Sequence, residues 1–110
     1  MIHETLKDKI KFVADLSKVV GGKVSGIESL DYVVAKHKTQ GWTDEYLVVK
    51  YKGGAIQARN CSWNSLAAIV EELGKMVYSS QVYPEDTESY NKLISEDTQY
   101  DYDIYDHESV

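Results

Sequence analysis

The sequence predicts an α+β domain: an N-terminal helix, a three- to four-stranded antiparallel sheet, then two helices with an acidic C-terminal extension. Three observations predict it. An apolar stripe at helical spacing opens the chain, β-branched and aromatic runs punctuated by glycine fill the middle, and a second helical stripe follows.

The first helix is expected over about residues 3–20, because Ile2, Leu6, Ile10, Val13, Leu16 and Val20 recur at spacings of three and four. Gly21-Gly22 is expected to stop it, since glycine accepts the left-handed cap conformation. Residues 23–27 are a weak strand, and Asp31 to Lys38 a stronger one centred on Tyr32, Val33 and Val34. Gly41-Trp42-Thr43-Asp44 reads as a turn, and Glu45 to Lys52 as the best strand in the chain. Gly53-Gly54 carries the signature of a two-residue hairpin, which needs positive φ, and Ala55 to Asn60 returns as a further strand.

Ser62 is the expected N-cap of a second helix, whose apolar face is Trp63, Leu66, Ala67, Val70, Leu73 and Val77. Gly74 lies inside it at a cost of about 1 kcal/mol relative to Ala, which close approach of another element would explain. Tyr83-Pro84-Glu85-Asp86 opens a third helix to about Glu96, with proline and acids suited to a first helical turn. From Gln99 to Ile104 apolar and acidic residues alternate, as in an edge strand or a disordered tail. Residues 1–96 therefore read as one α+β domain and 97–110 as an acidic, tyrosine-rich extension.

A chain of 110 residues supports one core, and its 43% apolar content is ordinary for a globular protein. No apolar run approaches the roughly 20 residues that span a bilayer. Met1-Ile2-His3-Glu4 is polar and is followed by alternating Lys and Asp, without the apolar block of a secretory signal. With one cysteine, Cys61, there is no internal disulfide framework, and the simplest reading is cytoplasmic residence.

Charge is unevenly distributed. Residues 1–80 hold 11 Lys and Arg against 9 Asp and Glu. Residues 81–110 hold one cation, Lys92, against nine acids, together with five of the nine tyrosines. Such asymmetry points to an electrostatic role.

The residues that would carry catalysis are poorly assembled. Cys61 precedes a helix, a position that can lower a thiol pKa, but its candidate bases are His3, His37 and His107, on a terminus, a strand and the acid tail. Neither Gly21-Gly22 nor Gly53-Gly54 is a phosphate loop, and no paired Cys/His metal spacing exists. Asp101, Asp103 and Asp106 lack the glycine and terminal glutamate of a calcium loop. The reading is a binding protein with no catalysis, metal or cofactor.

The acidic third is not depleted in aromatics, as disordered acidic tails are, and tyrosine supplies rigid amphipathic area suited to recognition. On an extended strand Asp101 and Asp103 would form a row of negative charge with a repeat of about 6.7 Å. A carboxylate, like a phosphate, accepts an arginine fork in two parallel hydrogen bonds, so an acidic scaffold can compete for a nucleic-acid groove.

Two stretches carry a family resemblance. Glu45-Tyr46 opens a central strand after a glycine-containing turn, and Tyr83, Glu85, Asp86, Glu88, Tyr90 and Asn91 form an acidic run leading into an aromatic. With this order of elements, the chain resembles the small phage-encoded anti-CRISPR proteins that inhibit type II RNA-guided nucleases by occupying the PAM-reading site. The resemblance implies carboxylates such as Asp86 and Glu88 against arginines that otherwise grip guanine. The expected partner is then a basic nucleic-acid-handling protein such as an RNA-guided nuclease. The expected contact residues are Asp44, Glu45, Tyr83, Glu85, Asp86, Glu88, Tyr90, Asp101 and Asp103. The alternative is a nucleic-acid-binding module of helix–sheet–helix type that uses Lys36, Lys38, Lys50 and Lys52, with the acidic tail autoinhibitory. A third reading is self-association through the edge near Tyr100 to Ile104.

Overall fold

A computed structural model of the chain describes residues 5–23, 26–79, 83–95 and 98–105. The elements are α1 (Leu6–Lys23), β1 (Ile27–His37), β2 (Thr43–Tyr51), β3 (Ile56–Asn60), α2 (Leu66–Ser79), α3 (Pro84–Ile94) and β4 (Tyr100–Tyr105). All four strands form one antiparallel sheet in the order β3-β2-β1-β4. The expected α+β fold is what the chain adopts.

Strand alternation divides the sheet into two covered faces. On the first, Leu30, Tyr32, Val34, Leu47 and Val49 pack with Val13 and Val20 of α1 and Ile69, Leu73 and Met76 of α2. A register shift between Ile27 and Ser29 turns Ile27 onto this face as well. On the second, Val33, Ala35 and Val48 pack with Tyr90 and Leu93 of α3. The strand β1, covered on both sides, is buried without a break from Leu30 to Ala35 for that reason.

Several boundaries differ from expectation. Helix α1 runs through Gly21 and Gly22 to Lys23, because burial of its apolar stripe against β1 outweighs roughly 1 kcal/mol per glycine. It starts on a reciprocal cap: the Asp8 N–H donates to the Thr5 hydroxyl at 3.2 Å, and the Thr5 N–H donates to the Asp8 carboxylate at 3.1 Å. The expected weak strand at 23–27 contributes only Ile27 to β1, and residues 24 and 25 lie outside the described residues. Thr43 and Asp44 belong to β2, the turn occupying residues 38–42 with Gly41 at φ +80°. The β2–β3 connection is four residues long, closed by Tyr51 N–H donating to Ala55 O at 2.9 Å, and only its second glycine, Gly54, takes positive φ.

Helix α2 begins later than expected. Ser65, not Ser62, caps it, accepting the Ala68 N–H at 3.2 Å; Ser62 accepts the Glu45 N–H at 2.7 Å. Trp63, expected on the buried face, is 98% exposed. Apart from its chain neighbours and its own helix backbone, no described atom comes within 4 Å of where a Cβ would stand on Gly74, so no close approach of another described element explains that glycine. Residues 98–105 do not stand apart from the body beyond residue 96: Tyr100 to Tyr105 pair with Tyr32 to His37.

Candidate binding surface

Helix α3 forms because Pro84 fits a first turn and Tyr90 and Leu93 supply a short apolar stripe for the sheet. Thr87 fastens it to the sheet edge, its hydroxyl accepting the Ile56 N–H at 3.2 Å and donating to Ile56 O at 2.9 Å. Glu85 and Glu88 then point to solvent, and Tyr83, at the N-cap, is half exposed. Asp86 is half-buried, and its Oδ2 is shielded from water without a hydrogen-bond partner among the described residues. The helical acids suit a first turn whose unpaired N–H groups favour negative charge.

Strand β4 presents the second acidic set. Its register places Asp101 opposite Lys36 and Asp103 opposite Val34, so both carboxylates lie on the first face. Tyr100, Tyr102 and Ile104, opposite His37, Ala35 and Val33, lie on the second. Asp101 meets Lys38 at 4.0 Å, with both side chains well exposed, a contact worth little in water. Lys38 N–H donates to Gln99 O at 2.9 Å, which sets the ladder phase: odd-numbered β4 residues bond to β1, and the N–H and C=O of Tyr100, Tyr102 and Ile104 face outward. Among the described residues nothing pairs with that outer edge. The structure thus groups Glu85 with Glu88, and Asp101 with Asp103, but sets the two groups on opposite sides of the sheet.

Two expected contact residues are turned inward, a correction to the surface role. Glu45, with a side chain 13% exposed, accepts from Lys9 Nζ at 3.0 Å and from the Tyr32 hydroxyl. Lys9 also donates to Ser62 O at 3.0 Å, so this is a satisfied internal network joining α1, β1, β2 and the loop before α2. Burial, helped by the hydrogen bond to Glu45, pushes the Tyr32 hydroxyl pKa well up. Tyr90, 3% exposed, lies in the second-face core with Lys50 Nζ 5.7 Å from its ring centre. Asp44 is the second residue of β2, half-buried and paired in register with Ala35.

The sheet lysines do not gather on one face. Lys50 is held at 3.0 Å by the buried Asp31 on the second face. Lys36 lies across from Asp101 at one end of β1, whereas Lys52 follows β2 at the other end of the sheet.

Other features escaped the sequence reading. A groove of about 660 Å³ runs between α3 and the start of β4, lined by Tyr46, Ala58, Tyr90, Leu93, Thr98 and Tyr100 among others. Beside it a groove of about 610 Å³ surrounds His37, Trp42 and Gln99. His37 Nδ1 accepts the Gln40 N–H at 2.9 Å and the Thr39 N–H at 3.2 Å, while Nε2 lies 3.2 Å from Gln99 Oε1. Its ring meets Trp42 at 4.8 Å, tilted by 45°, and Tyr100 at 5.1 Å in an edge-to-face contact. The imidazole thereby ties the β1–β2 turn to the entry of β4. Only the alternation of Tyr100 with acids hinted at this, since no local pattern links residues 37 and 99.

Cys61 is 1% exposed, and burial is the main cause that pushes its thiol up to about 11, so it stays protonated at neutral pH. Among the described residues no group of three His, Cys, Asp or Glu is placed to hold a metal ion, and no described helix is long and apolar enough to cross a membrane. No family, curated protein or solved structure matches this chain.

Proposed function

We propose that this protein is a non-catalytic binding protein whose acidic C-terminal region engages a basic surface of a partner protein, one that otherwise holds nucleic acid. The observation that carries the reading is the placement of β4. Asp101 and Asp103 are fixed two residues apart on a strand at the open edge of the sheet, backed by tyrosines on its other side. An ordered acidic row offers arginines and lysines a partner at fixed spacing, which a mobile tail does not. The exposed Glu85 and Glu88 extend the negative field around the second face, and the long range of that field favours encounter with a basic partner.

A narrower form of the proposal takes the partner to be an RNA-guided nuclease, with the carboxylates against arginines of its PAM-reading site. The same experiment tests both forms. Tagged protein is used to capture partners from a host cytoplasmic extract at low and at high salt, and is added to a nuclease cleavage assay. Capture of a basic protein at low salt, lost at high salt and lost in Asp101→Lys/Asp103→Lys, is expected. Glu45→Gln should leave the affinity of the folded protein unchanged, because that carboxylate already serves Lys9. Salt-independent capture, or capture unaffected by the β4 double reversal, would overturn the proposal. Inhibition of cleavage would support the narrower form and its absence would remove it.

A further inference from the structure

Helix α2 carries two apolar stripes, of which only one is used by the core. Ile69, Leu73 and Met76 are buried against the sheet, with Leu66 and Val77 packed beside them. The other stripe holds Ala67, Val70, Gly74 and Tyr78, spaced by three and four residues, and Trp63 stands four residues before Ala67 in the turn that leads into the helix. Trp63 is 98% exposed, Tyr78 89% and Val70 47%. Isolated exposed apolar residues need no explanation, but two almost fully exposed aromatics at the ends of one helical stripe do.

We infer that this stripe is an interface between two copies of the chain, whose α2 helices meet antiparallel about a two-fold axis passing close to Val70. The size order along the stripe is large, small, medium, small, large, and it is symmetric about the midpoint between Val70 and Glu71. Within α2, Ala67 and Gly74 lie equally far from that midpoint, and they are bracketed by Trp63, in the turn before the helix, and Tyr78 in its last turn. A two-fold contact requires this: if residue i of one copy meets residue j of the other, j must also meet i. Antiparallel pairing about that midpoint then sets Ala67 of each copy against Gly74 of the second and Val70 against the aliphatic stem of Glu71, and brings the Trp63 end of one helix to the Tyr78 end of the other. The aromatics pack at the two ends while the small residues let the helix backbones come close.

Gly74 supports this placement. It weakens the helix interior at a half-buried position, yet apart from its own helix backbone and chain neighbours no described atom uses the space within 4 Å of where its Cβ would stand. A helix of a second copy would. Local charge does not oppose a second copy here: residues 1–80 are almost balanced, and α2 belongs to that stretch, remote in sequence from the strongly negative C-terminal region. Two aromatics of roughly 150–250 Å² each, with Val70 and Ala67 between them, bring the patch to roughly 500 Å² per copy. The total, about 1,000 Å², is at the lower limit for a specific interface and implies a weak, concentration-dependent dimer.

Sedimentation of the full chain over a range of concentrations tests this. A monomer–dimer equilibrium is expected, and Val70→Asp and Trp63→Ala should each weaken it by at least about tenfold, as loss of a central or aromatic contact does. Gly74→Gln, at a site whose Cβ direction is open, should weaken the dimer while the monomer melts no lower than the parent. In a Trp42→Phe background, the emission of Trp63 should shift to the blue as concentration rises. A chain that stays monomeric at the highest soluble concentration would overturn the inference. So would a dimer that persists undiminished in Val70→Asp and Gly74→Gln while both keep the parent's circular dichroism. Neither result bears on partner capture through β4.

Discussion

Asp31 and Lys50 meet at 3.0 Å on the second face, beneath Tyr90, with the Asp31 side chain almost completely buried and that of Lys50 about one-third exposed. Burial pulls the Lys50 pKa down, but the hydrogen bond and charge of Asp31 outweigh it, and the net shift is upward from 10.5. A raised lysine pKa stabilises the fold below the unfolded value and stops doing so as pH rises through the folded one, so the contribution is intact at neutral pH and lost only in strong alkali. The partners are not equivalent. Lys50→Met leaves a buried carboxylate without a counterion and should cost about 3 kcal/mol in urea unfolding. Asp31→Asn leaves an ammonium that water can still reach and should cost clearly less. Equal losses would contradict this. Glu45 is a similar case: its residue type suggested a surface contact, and only the arrival of Lys9 from α1 makes an internal position affordable.

At the scale of elements, what was legible depended on whether periodicity alone settled the question. The order of helices and strands, and the edge-strand alternation from Tyr100, followed from local pattern because a period of two or of 3.6 is a backbone property. Which α2 stripe faces the core did not. Leu66, Leu73 and Val77 lie next to Trp63, Ala67 and Val70 around the helix, so the apolar sector was too wide to show its buried half. The caps were similarly ambiguous, since Ser62 and Ser65 are both suitable residue types and only the tie from Ser62 to Glu45 separates them. Because Gly74 is open on its outer side, Gly74→Ala should raise the unfolding free energy by up to about 1 kcal/mol at concentrations where the chain is monomeric. A destabilising effect in thermal melts would mean that the site is crowded. The outer edge of β4 resists pairing with its own copy. With even-numbered residues facing outward, antiparallel self-pairing aligns odd with odd and sets Asp101 or Asp103 against an Asp of the second copy. Such an edge disfavours self-association and favours a basic strand or groove.

At the scale of the whole molecule, the sheet order decides what the C-terminal region can do. The first strand in sequence is flanked by the second and the last, so residues 100–105 close the sheet beside β1 after both later helices have been laid down. His37 locks that closure through Gln99, Trp42 and Tyr100. The three-layer arrangement also divides the acids, with those of α3 over the second face and those of β4 on the first, a separation that composition along the chain could not reveal. A binding surface built on Asp101 and Asp103 requires that β4 hold its register on β1. Residue-resolved amide hydrogen exchange of the free protein tests this most directly. The N–H groups of Asp101, Asp103 and Tyr105 should be protected by their bonds to β1, while those of Tyr102 and Ile104 exchange rapidly at the outer edge. Fast exchange at all five positions would show that the acidic segment is not held in the sheet and would contradict a binding surface of fixed geometry.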